Sequence, residues 1–245
     1  MHADQNARKS VQSKLFVPGA VHDGHLLAPI DHSASQASQL QQLQRLAEEV
    51  RSSFEQLLAS IAGKLSLSQW SCSLKDTAAM IEKLNRADKA KDGLPLKPGQ
   101  LHDVLRGCVV LEGFEQLALV PDILAQTQFK IAKADTRRLL EPSESGWRCA
   151  YLILRAPNGL YVEVQFLTEE LQRANEEVHR HYEKFRGASQ LFQAELQAHA
   201  AAFSKAWSRY MVRAGLTEET LSRLLQQFWL RIENSRALVC TGTTS

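Results

Sequence analysis

Long apolar runs are missing from this sequence: no stretch approaches the ~20 consecutive residues that a membrane-spanning helix needs. The first residues, MHADQNARKSVQSK, show no apolar signal region behind their charges, so passage through a cleaved signal is not expected. Delivery by a dedicated secretion machine needs no such region and stays open. Cysteine is scarce: Cys72, Cys108, Cys149 and Cys240 are widely spaced and form no C-x-x-C pair, which excludes the usual zinc cage. Cys108 and Cys149 lie in apolar runs and read as buried thiols, a usage that fits a reducing cytoplasm as the site of action. Charge of one sign is missing too. With 29 Lys and Arg against 27 Asp and Glu, the net +2 is too small to imply nucleic-acid binding by bulk charge, so any basic surface must come from local clustering. His22, His25 and His32 near the start have no Cys, Asp or Glu set at a ligand spacing and read as part of a polar leader.

What is present is an ordinary globular composition, 44% hydrophobic and 23% charged over 245 residues. That length suits one domain with helical additions, or two small ones. Residues 1–33 read as a loosely structured leader. From Ser35, Leu40, Leu43, Val50, Phe54, Leu57 and Ile61 recur at helical spacing, with Gly63 as the expected stop. A second helix is expected over Thr77 to Asn85, followed by the loop KAKDGLPLKPG.

The middle of the chain reads as strands. Arg106 to Leu111, Phe129 to Leu140 and Arg148 to Arg155 are expected strands, the last apolar on both faces as in a central strand. Phe114 to Gln126 reads as a helix that Pro121 breaks or kinks. Pro157-Asn158-Gly159 is a hairpin signal. Beyond it, Val162, Val164 and Phe166 alternate with Tyr161, Glu163 and Gln165. Thr168 is placed to cap the next helix. Residues 169–186, 188–213 and 217–233 carry helical apolar spacing. The fold class is therefore α/β (α+β): a small mixed sheet flanked by helices, with added helices at both ends.

Two carboxylates stand out. Glu163 sits mid-strand, where an acidic side chain is disfavoured unless it is solvated or used. Asp103 precedes an apolar strand, with Arg106 close behind as an alternative partner. Two carboxylates on neighbouring strands can hold one Mg²⁺ while substrate phosphates supply further oxygens. Lys83 and Arg86, three apart, share one helical face, and Lys75 lies upstream; they read either as a solvated surface or as a clamp for a triphosphate.

From about Ser73 to Arg186 the chain resembles the RelA/SpoT nucleotidyltransferase family of alarmone synthetases, small toxic ones included. SLKDTAAMIEKLNR looks like the ATP-binding segment, LHDVLRGCVV like the metal-binding aspartate segment, SGWRCAYLIL like the acceptor-binding Gly-Tyr-Arg segment, and YVEVQFLT like the strand V-E-I-Q-x-R-T. EEVHRHYEKFR resembles the helix carrying the family's His and Tyr. The resemblance implies Asp103 and Glu163 as catalytic and metal-binding residues. It implies Lys75, Lys83, Arg86 and Arg106 at the ATP phosphates, and Trp147, Arg148, Gln165, His179 and Tyr182 at the acceptor. Domain boundaries follow: a leader over 1–33, a synthetase domain over 34–186, and a C-terminal helical extension over 187–245.

The departures fall on nucleotide contacts. Ser73 replaces an arginine, Trp147 a stacking tyrosine, Tyr151 a histidine and Leu167 an arginine, whereas both metal positions are kept. The implied activity is Mg-dependent transfer of pyrophosphate from ATP to a nucleotide hydroxyl: GDP, GTP, ADP, ATP or a tRNA 3′ end. Lys130, Lys133, Arg137 and Arg138 offer a basic strip for RNA phosphates. No hydrolase segment precedes the synthetase-like stretch, so synthesis without degradation is expected. A catalytically inactive binding module of the same fold is the non-enzymatic alternative. Apolar stripes on the terminal helices leave a homo-oligomer or an inhibitory antitoxin or immunity partner open.

Overall fold

The computed structural model describes residues 21–22, 26–85, 95–185 and 191–241, with side chains described over 26–85, 95–178 and 196–234. In chain order the elements are β1 (Val21–His22), α1 (Gln36–Lys64), β2 (Trp70–Leu74), α2 (Thr77–Leu84), β3 (Leu105–Leu111), α3 (Val120–Ala125), β4 (Lys130–Asp135), α4 (Arg137–Leu140), β5 (Ala150–Arg155), β6 (Tyr161–Thr168), α5 (Glu169–Phe185), α6 (Leu191–Arg213) and α7 (Glu218–Thr241). The six strands form one sheet in the order β1-β4-β5-β6-β3-β2. Only β3 and β6 run parallel; every other neighbouring pair is antiparallel.

The first long helix starts where expected, because the Ser35 side chain accepts from the Ser38 N–H. Its stripe of Leu40, Leu43, Phe54, Leu58 and Ile61 is fully buried. This stripe lies directly on β3. A Cβ built on Gly107 would come within 2.6 Å of Leu58 Cδ2 and 3.1 Å of the Phe54 ring, so glycine is what allows helix and strand to approach. Val162, Val164 and Phe166 face the same core, and their alternation is the reason β6 can present Tyr161, Glu163 and Gln165 on its other side. Pro157-Asn158-Gly159 closes the β5–β6 hairpin, with Gly159 at φ +85°, a conformation other residues rarely adopt.

Several expectations are corrected. The strand expected over Phe129 to Leu140 ends at Asp135. There the carboxylate oxygen Oδ1 accepts the Arg137 backbone N–H at 2.9 Å, a local turn that competes with the sheet ladder and starts α4. The helix expected over Phe114 to Gln126 is a 3₁₀ turn (Phe114–Leu119) running into α3. Pro121 lies in the first turn of α3, where its missing N–H is not needed, so it starts a helix and does not break one. Strand β2 was not expected. The leader is not loose throughout: Val21–His22 pairs with β4, and Leu26, Ala28 and Ile30 are buried.

The C-terminal helices are part of the fold's interior. Phe203, Trp207, Tyr210, Leu221, Leu225, Phe228, Trp229 and Ile232 belong to the same apolar cluster as the sheet and α1. Burying each such side chain contributes roughly 1.5–3 kcal/mol. Two hydrogen bonds fix the register of this layer. The buried Tyr210 hydroxyl accepts the Phe114 N–H at 3.0 Å, and Trp229 Nε1 donates to Thr136 Oγ1 at 3.0 Å.

Candidate active site

Side chains at paired positions of neighbouring strands point to the same face of a sheet. The face turned away from α1 therefore carries two rows. One runs Ser73, Arg106, Glu163, Ile153 and Lys133; the next runs Ser71, Cys108, Gln165, Tyr151 and Asp135. Polar and ionisable groups are concentrated on this face, although the sheet's other face is apolar.

Asp103 lies just before β3, at the head of the first row. Its side chain is 10% exposed and contacts two ammonium groups: Lys75 Nζ is 2.7 Å from Oδ2, and Lys83 Nζ is 2.7 Å from Oδ1. Lys75 leaves the end of β2, tied back by its N–H to the Val104 carbonyl at 2.8 Å. Asp76 then caps α2, accepting from the Ala79 N–H at 2.7 Å. Met80 and Leu84 anchor that helix in the core, which carries Lys83 back over Asp103. Burial alone raises the Asp103 pKa, but the charges of Lys83 and Lys75 outweigh it and hold the group at about 2. The Lys83 contact is an ion pair without hydrogen-bond alignment, so Oδ1, shut off from water, has no directed donor.

Glu163 faces the same region. Its Oε1 accepts from Gln165 Nε2 at 2.6 Å, and Arg106 is its register partner across the parallel β3–β6 pair. Its pKa is raised, by burial first and then by the Asp103 charge; Gln165, Lys83 and Arg106 oppose the shift. The two carboxylates are thus pushed in opposite directions, a pattern common where one group holds charge and another exchanges a proton. Among the described residues no group of three or more His, Cys, Asp and Glu converges. Two carboxylates alone fit a hard cation that keeps waters and takes oxygens from a bound phosphate, as Mg²⁺ does.

Sequence reasoning brought Asp103, Glu163, Lys75, Lys83, Arg106 and Gln165 to one region, and the fold places all six there. It places Arg148 elsewhere. That guanidinium donates to the carbonyls of Leu139 and Leu140 and stacks 4.6 Å from the Trp207 ring centroid, a structural post between β5 and α6. Trp147 is half-buried against the main apolar cluster, and its backbone N–H donates to Ser143 Oγ at 3.1 Å. His179 and Tyr182 lie on α5, but their side chains fall outside the described residues, as does Arg86 entirely. Thr168 stands where a cap was expected, directly before Glu169 at the start of α5, and is fully buried.

One group was missed. Asp135 is 3% exposed on the second row and meets Arg137 through both oxygens, Nη2 to Oδ2 at 2.6 Å and Nε to Oδ1 at 3.2 Å. The Tyr151 hydroxyl donates to it at 3.4 Å. The sequence signal was Asp-Thr ahead of Arg-Arg, a turn signature read as strand. Leu26 closes one side of this face. It packs with Ala132 and Ile153 near Tyr151 and Tyr161, and its carbonyl lies 2.9 Å from His102 Nε2. A separate cleft of about 500 Å³, lined by Ser66, Gln69, Glu112, Glu169 and Arg213, opens at the far end of β3 and β6 and holds none of the expected site residues.

No protein-family model matches the sequence, and no curated protein does. Solved structures do match. Small alarmone synthetase 1 from Bacillus subtilis, bound to its product pppGpp, aligns over 72% of this chain and 98% of its own, at 18% identity and a TM-score of 0.54. Small alarmone synthetase 2 from the same organism aligns over 71% and 97%, at 15% identity and a TM-score of 0.51. The chain has the fold of the small alarmone synthetases.

Proposed function

We propose that this chain transfers the pyrophosphate group of ATP to a hydroxyl of a free nucleotide. The observation that carries the reading is the convergence of Lys75 and Lys83 on Asp103, beside Glu163 with its raised pKa. Phosphoryl-group transfer is mostly positioning and charge neutralisation. Lys75, Lys83 and Arg106 supply cations for a triphosphate. Asp103 and Glu163 would hold Mg²⁺, which neutralises phosphate charge when bound.

The acceptor oxygen attacks the β-phosphorus, the bond from that phosphorus to the α-bridging oxygen breaks, and AMP leaves. The hydroxyl proton goes to a Glu163 oxygen. A carboxylate with raised proton affinity suits that task better than an ordinary one. Gln165 holds the other side of the Glu163 group in place. The fold neighbour bound to pppGpp is a synthetase of that product, which agrees with this reading.

A free nucleotide comes before tRNA in this reading because the basic strip is partly spent. Arg137 is engaged by Asp135, and Lys133 lies 5.4 Å from the Tyr151 ring centroid. Lys130 donates to the Thr127 carbonyl at 3.2 Å, and Arg138 is exposed. The test is incubation with Mg²⁺ and ATP labelled at the β-phosphate, against GDP, GTP, ADP, ATP and tRNA. Label in a nucleotide supports the proposal and label in tRNA replaces it with the RNA-modifying reading. Label nowhere supports a binding module, with or without an antitoxin, immunity protein or second copy as its partner.

A further inference from the structure

The geometry points to a binding site in which Lys75 and Lys83 hold the cation's carboxylate closed until a polyphosphate draws them away, so that cation and nucleotide bind as one unit. This inference rests on the nucleotide reading above.

Each oxygen of Asp103 faces an ammonium group at 2.7 Å, and the carboxylate has little exposure through which a cation could enter from another side. The lysine side chains are 20% and 25% exposed, so both retain access to solvent and to an arriving ligand. A divalent cation arriving alone must displace one ammonium and then sit beside two, with Arg106, the register partner of Glu163, on the same face. In a partly dehydrated site that repulsion is only weakly screened. Among the described residues no third His, Cys, Asp or Glu joins the two carboxylates, so these offer few oxygens to offset it.

A nucleoside triphosphate reverses each term. Its oxygens replace Asp103 as partners of Lys75 and Lys83, and others complete the shell of the cation. Each ligand removes the obstacle to the other. By reciprocity, the factor by which nucleotide strengthens cation binding equals the factor by which cation strengthens nucleotide binding. In the absence of both, the lysines keep Asp103 neutralised, which lets a buried carboxylate persist without a metal.

The experiment uses Mn²⁺, whose free ion is read directly by electron paramagnetic resonance. It is titrated into the full chain with and without an ATP analogue carrying a methylene bridge between its α- and β-phosphates. In the wild type, Mn²⁺ alone is expected to bind weakly, and the analogue to strengthen it by about 5- to 150-fold, the usual span of coupling between sites. Lys83→Met frees Asp103 Oδ1; it should bind Mn²⁺ alone at least ~10-fold more tightly than wild type and show a smaller coupling factor. Lys75→Met is the second variant, with the same expectation through Oδ2. Asp103→Asn releases both lysines and should bind the metal-free analogue more tightly than wild type, an effect opposite to that of removing an ordinary site residue. Equal Mn²⁺ affinity with and without the analogue, or unchanged Mn²⁺ affinity in folded Lys83→Met and Lys75→Met, overturns the closed-site inference and leaves the nucleotide reading standing. Failure of the analogue to bind wild type with or without Mn²⁺ overturns both.

Discussion

Trp229, near the end of the chain, donates its indole N–H to the hydroxyl of Thr136, 93 residues earlier, and both side chains are buried. Thr136 follows Asp135, the last residue of β4, and precedes α4, so the last helix is bonded to the turn that holds Asp135.

Removing residues 217–245 is therefore expected to destabilise the whole domain. Trp229→Ala alone should cost about 3–5 kcal/mol, the range for deleting a buried aromatic. Trp229→Phe keeps most of the volume and should cost about 1–3 kcal/mol through the unpaired hydroxyl. Urea denaturation of the three proteins measures this. An unchanged midpoint in the truncated chain would show that α7 is not core.

Asp103→Asn and Glu163→Gln should each lower transfer by more than about 100-fold, the scale of losing one group that stabilises transition-state charge. Their effects on stability should differ in sign. Glu163 has a raised pKa, so its charged form opposes folding at neutral pH; Glu163→Gln should raise the melting temperature while abolishing activity. Asp103→Asn should lower it. Scanning calorimetry at pH 7 separates the two, and a stabilised Asp103→Asn would contradict the assigned electrostatics.

Acid should act through Asp103. Its folded pKa of about 2 lies below the ordinary 3.8, so its contribution is present above pH 3.8 and lost as pH falls from there towards 2. The shift corresponds to about 2 kcal/mol at neutral pH. Stability measured between pH 5 and pH 2 should fall more steeply in the wild type than in Asp103→Asn. Parallel curves would count against the paired carboxylate.

Arg148→Ala should lower stability by about 1–3 kcal/mol by leaving the carbonyls of Leu139 and Leu140 without their donor and removing the stack on Trp207. The acceptor KM in the folded variant should stay close to wild type. A KM raised tenfold without loss of stability would return Arg148 to the acceptor.

Gly107→Ala places a methyl group where Leu58 Cδ2 and the Phe54 ring lie, on side chains that are themselves fully buried. Overpacking of this kind should cost about 1–3 kcal/mol. A variant as stable as wild type would show that α1 can lift off β3.

Periodicity alone determined most of the elements. The 3.6-residue spacing of Leu40, Leu43, Phe54 and Ile61 and the two-residue alternation of Val162, Val164 and Phe166 each encode which side of an element is buried, and burial of apolar surface is non-directional enough to be read locally. The carboxylates were legible for a related reason: Glu163 breaks the expected composition of a strand. Tertiary structure decided the rest. That Lys75 and Lys83 meet Asp103 depends on how α2 returns over the head of β3, a through-space approach of residues 28 and 20 positions apart in sequence that no local pattern carries. Arg148 and Trp147 are neighbours in a motif, but the guanidinium is drawn to Trp207 on a distant helix, because buried carbonyls and an aromatic face compete for it. The strand at 70–74 and the turn at Asp135 were lost for a shared reason. A short edge strand gains its ladder only from a partner, and a one-residue Asx turn outweighs propensity only where its carboxylate is buried.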